Sequence, residues 1–160
     1  MRDKDLLLGI DIGTTGTKCS VYDFRGIRVA SAYREYPMIH PRPGWTEQDP
    51  SRWWDTVCCN LQTIFKSQNI DKNRIAAVGT SSTNAVVLVD RQGQPVCNAI
   101  SLHDQRSGHQ VEWLKENIGE ERIRGVAANR IANGSFCLPA LRWLVENQAD
   151  LIKGAYKLMV

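Results

Sequence analysis

Residues 6–18 constrain the fold more than any other segment, because a short apolar run with a single carboxylate leads straight into a turn of glycines and threonines. Side chains of a β-strand alternate between the two faces of a sheet. One face of this strand would be apolar and suited to a core, and it would carry Leu6, Leu8, Ile10 and Ile12. The opposite face would carry Asp11 between Gly9 and Gly13. Because an unpaired buried carboxylate is costly, we expect Asp11 to meet water, a cation or a hydrogen-bond donor.

The turn after this strand has the composition of a phosphate-binding site. Gly13 and Gly16 permit positive φ and close approach of the backbone. Thr14, Thr15 and Thr17 place hydroxyls beside backbone N–H groups, and such a turn can hold phosphate oxygens in a cradle of amides. A carboxylate that can hold hydrated Mg²⁺ beside this cradle indicates a nucleotide site. The structural alternative is a β-hairpin with a glycine turn and a partly exposed aspartate.

Two common phosphate-binding motifs are absent from the sequence. The Walker A spacing, which is glycine, four residues and then Gly-Lys-Ser/Thr, does not occur. The dinucleotide fingerprint G-x-G-x-x-G is also missing, and the pattern predicts a hairpin after the turn where that motif needs a helix. A nucleotide site here would therefore belong to another class.

Charge and cysteine content narrow the possible partners. Twenty basic residues against 17 acidic ones leave a net charge of +3 with no dense basic cluster, so no nucleic acid is expected. No apolar run approaches the roughly 20 residues of a membrane span, and the charged start of the chain is unlike a secretion signal. The five cysteines form no C-x-x-C pair, which favours reduced thiols in a cytoplasmic protein over a disulfide framework or a zinc site.

The segment after the turn predicts two more strands. Residues 18–24 and 28–36 would extend the first strand into an antiparallel meander, with a turn at 23–26. Three prolines make residues 37–43 a loop.

A helix is predicted over residues 51–66. Asp49 followed by Pro50 is a typical start, since an acid caps the helix and proline fits its first position. Apolar side chains recur at helical spacing and are expected to face the core; they are Trp54, Val57, Cys58, Leu61, Ile64 and Phe65.

The second half of the chain predicts further alternation of strands and helices. Residues 75–81 would form a buried strand ending in the polar cluster 80–84, which suits a small polyol site or, alternatively, a simple polar turn. The other elements are expected as a hairpin of 85–89 and 96–100, helices over 107–117 and 120–126, a loop over 129–135, a helix from Pro139 carrying Leu141, Leu144 and Val145, and a strand over 155–160. The apolar ending, without a cap or polar tail, predicts that the chain was cut from a longer protein.

The order of three strands, a helix, a strand and then further α/β structure resembles the ribonuclease H-like, actin-like ATPase fold, in which a mixed sheet is flanked by helices. Residues 9–15, Gly-Ile-Asp-Ile-Gly-Thr-Thr, resemble the first motif of that superfamily. Three later segments resemble the FGGY carbohydrate kinases, most closely the xylulose and other pentulose kinases. They are Gly44-Trp45-Thr46-Glu47-Gln48-Asp49-Pro50 with Trp53-Trp54, the Asp104-Gln105-Arg106 segment that follows residues 99–103, and Leu138-Pro139-Ala140-Leu141-Arg142-Trp143-Leu144.

This resemblance implies an ATP-dependent kinase that transfers the γ-phosphate to a hydroxyl of a ketopentose or similar polyol. Such kinases have two actin-like lobes, with ATP, Mg²⁺ and the sugar in the cleft between them. Residues 1–160 would form part of the N-terminal lobe, with the rest of that lobe and the C-terminal lobe absent. A cytoplasmic protein is implied, with a homodimer as a possible assembly.

The resemblance also assigns site residues. Asp11 would engage the metal of Mg²⁺-ATP, and Gly13, Thr14, Thr15 and Lys18 would line the phosphate end. The sugar side would be formed or supported by Trp45, Glu47, Ser82, Thr83, Asn84, Asp104 and Arg106. The general base of the family would lie beyond Val160, so no catalytic residue is expected within the chain and the fragment by itself would be inactive.

Departures from the family pattern leave the sugar open. Ser82-Thr83-Asn84 stand where xylulose kinases carry Gln-Met-His, and the Arg-Glu of glycerol kinases is absent. Leu102 and His103 replace the usual Trp and Asn. Another actin-like ATPase, such as a chaperone ATPase domain, is an alternative that the segment from Trp45 to Pro50 argues against. A second alternative is a degenerate relative that binds a sugar or a partner protein without catalysis.

Overall fold

The computed structural model of the protein describes residues 4–134 and 137–160. The described residues divide into a first unit within Met1–Pro37 and Ser51–Thr83, and a second within Met38–Pro50 and Asn84–Val160. The strands are β1 Leu6–Ile12, β2 Gly16–Asp23, β3 Arg28–Glu35, β4 Glu47–Gln48, β5 Ile75–Ser82, β6 Ala85–Val89, β7 Ala99–Ser101 and β8 Lys157–Met159. The helices are α1 Pro50–Gln62, α2 Gly108–Asn117, α3 Glu120–Ala127, α4 Cys137–Asn147 and α5 Ala149–Gly154. None of the helices in these ranges is long and apolar enough to span a membrane.

The first unit is built on a four-stranded mixed sheet in the order β3-β2-β1-β5. Strands β1, β2 and β3 pair antiparallel, which confirms the predicted meander and the hairpin after the first turn. Strand β5 pairs parallel to β1. This pairing is possible because helix α1, between β3 and β5 in the chain, carries the backbone back to the edge of the sheet where β1 begins. The sheet therefore places the ends of β1 and β5 side by side.

The core of the first unit confirms the predicted alternation of β1. Leu6 and Leu8 are 1% and 6% exposed, and Ile10 packs against the same cluster. The other buried members of the cluster are Cys19, Val21, Ala30 and Ile64. On the opposite face, Asp11 is exposed, as expected for a carboxylate without a buried partner.

Helix α1 covers most of the predicted range, and a π-helical turn at Thr63–Ser67 continues it. The predicted inward stripe is wrong at Trp54, whose exposed fraction is 68%. Polar side chains cause the difference, because Thr56 and Asn60 are buried on this helix and both contact Thr17. These two hydrogen-bonded residues orient the helix so that Trp54 points to solvent.

Strand β5 was expected to be buried, and this expectation is wrong. Only Ile75 is partly buried, and Val78 is 56% exposed. In the part of the chain that the structure describes, β5 lies at the edge of its sheet and pairs with β1 alone. Its apolar residues after Ile75 therefore remain exposed, because no further strand covers this edge in the described residues.

The second unit has a four-stranded sheet in the order β4-β7-β6-β8, all antiparallel. The hairpin of β6 and β7 is confirmed, although β7 begins only at Ala99 where the prediction began at residue 96. The buried cores consist of Val86, Leu88, Ile100, Ala140 and Leu144, and of Val111, Leu114, Ile123 and Ile131.

The helices α2 and α3 confirm two predictions, while the C-terminal part differs in detail. Helix α4 includes Cys137, two positions before the predicted start, and Val145 on it is 53% exposed. Helix α5 was not predicted, and the final strand is shorter than expected. Residue 135 of the predicted loop lies outside the described residues.

Candidate functional site

The phosphate turn, residues 13–15, joins β1 to β2 in the first unit. The Gly13 N–H donates to the Gly16 carbonyl at 3.0 Å, which closes the turn. Asp11 stands directly opposite Lys18 in the antiparallel register of β1 and β2. The structure therefore brings together the five residues that the sequence assigned to the phosphate end.

Close packing explains the glycines of this turn. A Cβ at Gly16 would lie 2.5 Å from the Arg34 carbonyl oxygen and 2.5 Å from the Tyr33 hydroxyl. A Cβ at Gly13 would lie 3.1 Å from the Gly16 carbonyl oxygen. Neither glycine is among the described residues with positive φ, so the left-handed backbone that the sequence permits is not used here.

Ser81 lies beside Asp11 on the neighbouring strand. The parallel register pairs Asp11 with Ser81, and residues paired across a sheet point to the same face. With Lys18 they line an open depression of about 420 Å³ on the exposed face of the sheet. Sequence reasoning placed Ser81 in the polar cluster at the sugar side, because the strand pairing that brings it to Asp11 is not visible in the sequence.

The end of β5 is tied to the phosphate turn. The Thr83 N–H donates to the Ile12 carbonyl at 2.8 Å, and the Thr83 hydroxyl lies 3.4 Å from the Thr14 hydroxyl. Ser82 pairs with Ile12 and therefore points to the face opposite Asp11. Thr83, expected at the sugar side, thus contacts a residue expected at the phosphate end.

Arg106 lies at the centre of an ionic cluster in the second unit. Its Nη2 donates to Glu47 Oε1 at 2.7 Å and to Asp104 Oδ2 at 2.9 Å. The guanidinium stacks on the Trp45 ring at 3.8 Å from the centroid, and the side chain is only 4% exposed. Trp143 meets Trp45 edge-to-face at a centroid distance of 5.2 Å. The sequence patterns of three distant segments therefore converge on one arginine.

Asp104 is buried, and both of its carboxylate oxygens accept hydrogen bonds. It accepts from the Thr46 N–H at 2.7 Å and from the Arg106 N–H at 2.9 Å, in addition to the guanidinium. The residue is 1% exposed. Because these contacts compensate its charge within the chain, Asp104 is suited to fixing the backbone around Thr46.

The described residues of the second unit line two cavities of interest. One of about 150 Å³ is lined in part by Trp45, Glu47, Arg106 and Trp143. The other, about 280 Å³, is lined by Asn84, Asn129 and Cys137 together with Ala85, Val86, Gly134 and Val160. The second cavity combines two amides with apolar groups and has no charged side chain among these lining residues, which suits an uncharged ligand that offers hydroxyl groups.

The donor set near Asp11 fits Mg²⁺ bound together with phosphates. Among the residues that the structure describes, no group of three or more His, Cys, Asp or Glu side chains could hold a metal by itself. Mg²⁺ is commonly held by one or two carboxylates, with the substrate phosphates and water completing its octahedron. The single exposed carboxylate of Asp11, next to the phosphate turn, meets that requirement.

Comparisons with known proteins match almost the whole chain. The family model for the FGGY family of carbohydrate kinases, N-terminal domain, matches residues 6–160. A xylulose kinase of Staphylococcus xylosus is 32% identical over 155 residues, which are 96% of this chain and 32% of that protein. A glycerol kinase of Haloferax volcanii is 34% identical over 146 residues, 90% of this chain and 28% of that protein. The crystal structure of xylulose kinase from Rhodospirillum rubrum superposes with a TM-score of 0.88 at 25% identity, covering 96% of this chain and 31% of that one. The chain spans about a third of the length of these relatives.

Proposed function

The chain belongs to the FGGY family of carbohydrate kinases, and from this premise we propose that the natural protein transfers the γ-phosphate of ATP to a hydroxyl of a neutral ketose or polyol. Its fold is the actin-like ATPase fold of that family, with a mixed sheet and flanking helices. The observation that carries the proposal is the position of Asp11, which lies opposite Lys18 and next to the phosphate turn.

The residues of the first unit would hold the phosphates of ATP. Mg²⁺ held near Asp11 would neutralise phosphate charge, and Lys18 would add a second positive charge on the same face of the sheet. The hydroxyls of Thr14 and Thr15 and the amides of the turn would bind phosphate oxygens. Phosphoryl transfer depends mainly on positioning and charge stabilisation, and these are what this part of the chain supplies.

The second unit supports the choice of a neutral substrate. By the resemblance, Ser82-Thr83-Asn84 stand where xylulose kinases carry Gln-Met-His, and the Arg-Glu of glycerol kinases is absent. Asn84 lines the uncharged cavity with Asn129. A carboxylated sugar would find no compensating cation among these lining residues. The ionic cluster of Arg106 would support this region indirectly, since its charges already pair within the chain.

Deprotonation of the acceptor hydroxyl needs a general base. By its resemblance to the family, the protein would supply this base from an aspartate beyond Val160. The 160-residue chain alone is therefore expected to be inactive, and the proposal concerns the natural protein at its full length.

ADP release tests the proposal. The full-length protein, ATP and Mg²⁺ would be combined with xylulose, ribulose, fructose, glycerol and gluconate in separate reactions. We expect strong stimulation by one of the neutral compounds and none by gluconate. Equal ADP release without any sugar would contradict the proposal in favour of another actin-like ATPase. A folded protein without turnover on any compound would point to a non-catalytic binding relative.

A further inference from the structure

Tyr36 contacts the phosphate turn from the end of β3, and no sequence pattern singled it out. Its hydroxyl donates to the Gly13 carbonyl oxygen, and its backbone N–H donates to the Thr15 carbonyl oxygen at 3.2 Å. The residue is 7% exposed. One side chain and its own backbone thus bind both the first and the last carbonyl of the turn.

These two contacts orient the amides of the turn. A trans peptide unit is planar, so its N–H points opposite to its C=O. When the Gly13 carbonyl is drawn toward Tyr36, the Thr14 N–H must point away from Tyr36. In the same way, because the Thr15 carbonyl points toward the Tyr36 N–H, the Gly16 N–H points away from Tyr36. Tyr36 therefore fixes the directions of the N–H groups on which an amide cradle depends.

The Tyr36 hydroxyl is itself connected to helix α1 through a row of hydroxyls. Thr56 Oγ1 lies 2.9 Å from Thr17 Oγ1 and equally close to the carbonyl oxygens of its own helix. Thr17 is fully buried and its side chain hydrogen-bonds the Tyr36 hydroxyl. Asn60 Nδ2 donates to the Thr17 carbonyl at 2.9 Å, which holds Thr17 in place. Thr17 in turn hydrogen-bonds the Tyr36 hydroxyl that reaches Gly13, so this buried contact holds that hydroxyl in place.

Burial keeps this donor protonated. Burial raises the pKa of the Tyr36 hydroxyl, a hydrogen bond with Thr17 opposes the rise, and the charges of Tyr33 and Asp11 add to it. An ordinary tyrosine has a pKa of about 10, so the hydroxyl stays a donor throughout the neutral range. The hydroxyl can therefore donate to the Gly13 carbonyl throughout the neutral pH range.

We propose that Tyr36 is a positioning residue for nucleotide phosphates, acting through its hydrogen bonds to the phosphate turn. This inference rests on the proposed kinase function, because it assigns Tyr36 a role at the phosphate end of that site. Tyr36 would contact neither the metal nor the sugar. Its loss should weaken the use of ATP and leave the handling of the sugar unchanged.

The test uses Tyr36→Phe in the full-length protein, which removes only the hydroxyl. Tyr156→Phe is the matched control, since Tyr156 is 53% exposed and its ring stacks with Arg91 in the second unit. One hydrogen bond of this kind corresponds to an effect of about 2- to 12-fold. We expect Tyr36→Phe to raise the KM for ATP and the Kd for ADP by such a factor, with the KM for the sugar unchanged. The control should match the wild type.

Thr17→Val provides a second variant that leaves Tyr36 intact but interrupts the row of hydroxyls. It should change the same ATP parameters by a smaller factor, and its combination with Tyr36→Phe should be less than multiplicative because the two residues share one hydrogen-bond path. An ATP KM and ADP Kd within error of the wild type for Tyr36→Phe would overturn the inference. Equal changes in the ATP and sugar constants would also overturn it, because they would indicate general loosening.

The proposed function and this inference fail in different ways. A wild-type protein without sugar-dependent ADP release would contradict the kinase proposal. Calorimetric titration of ADP with Mg²⁺ would still show whether Tyr36→Phe weakens phosphate binding. A wild-type kinase with an unaffected Tyr36→Phe variant would overturn only the positioning role.

Discussion

Arg106 Nη2 lies 2.7 Å from Glu47 Oε1, although the two residues are 59 positions apart in the chain. The pair is largely buried, with side-chain exposures of 4% and 13%. Asp104 supplies a second carboxylate to the same guanidinium at 2.9 Å. One arginine therefore joins the Trp-x-Glu-Gln-Asp-Pro segment to the Asp-x-Arg segment.

Arg106→Gln should destabilise the protein strongly, because it leaves two carboxylates buried without their cation. Breaking a buried pair costs about 3–5 kcal/mol of unfolding free energy. Arg25→Gln is the matched control, since Asp23 and Arg25 have the same Asp-x-Arg spacing but the Arg25 side chain is 81% exposed. Loss of this exposed ion pair should lower the unfolding free energy by less than about 1 kcal/mol. Urea unfolding followed by fluorescence measures both, and similar costs for the two variants would contradict the assigned role.

Gly16→Ala should distort the phosphate turn. The added Cβ would collide with the Arg34 carbonyl oxygen, which cannot move without disturbing the pairing of β2 and β3. We expect a loss of about 1–3 kcal/mol in unfolding free energy, as for other overpacked sites. Gly79→Ala is the control, since no heavy atom lies within 4 Å of its Cβ position. Thermal unfolding of the two variants provides the comparison, and an unchanged melting temperature for Gly16→Ala would show that the turn can relax.

Asp11→Asn should remove most of the kinase activity of the full-length protein. The amide keeps the size of the side chain but loses the charge that Mg²⁺ requires, and we expect kcat to fall by roughly 100-fold, as for other losses of preorganised charge stabilisation. Asp150→Asn serves as control because this helical carboxylate is 98% exposed. Steady-state assays at several Mg²⁺ concentrations measure kcat for the wild type and both variants. A variant as fast as the wild type would exclude a metal role for Asp11.

The cysteines should differ in their rates of alkylation. Burial raises the pKa of the Cys19 thiol, against the effect of a hydrogen bond from Asn60, so little reactive thiolate forms. Cys59 is exposed and should react first with iodoacetamide at pH 8. Peptide mass spectrometry of a time course measures both rates, and labelling in urea should make them equal. Equal rates in the folded protein would contradict the burial of Cys19.

Much of the first unit follows from local sequence patterns. The alternation of β1, the Gly-Thr turn and the short turn before β3 each depend on neighbouring residues, and the structure confirms the meander that they predict. Helix α1 was also predicted, but the orientation of Trp54 was not, because hydrogen bonds from Thr56 and Asn60 to a distant strand decide which side faces inward. The predicted burial of β5 was wrong, because the burial of a strand depends on which other strands lie beside it in the sheet.

At the candidate site, too, some features follow from local sequence and others only from the tertiary structure. The sequence by itself determined the family and the position of Asp11 before the turn, and it predicted a set of residues for the phosphates and the sugar, because residue type and short spacing carry this information. The partners of those residues, namely Ser81 beside Asp11, Tyr36 on the Gly13 carbonyl and Glu47 on Arg106, were decided only by the tertiary structure. Strand register and packing bring together residues that are far apart in the chain, and no local pattern encodes those distances.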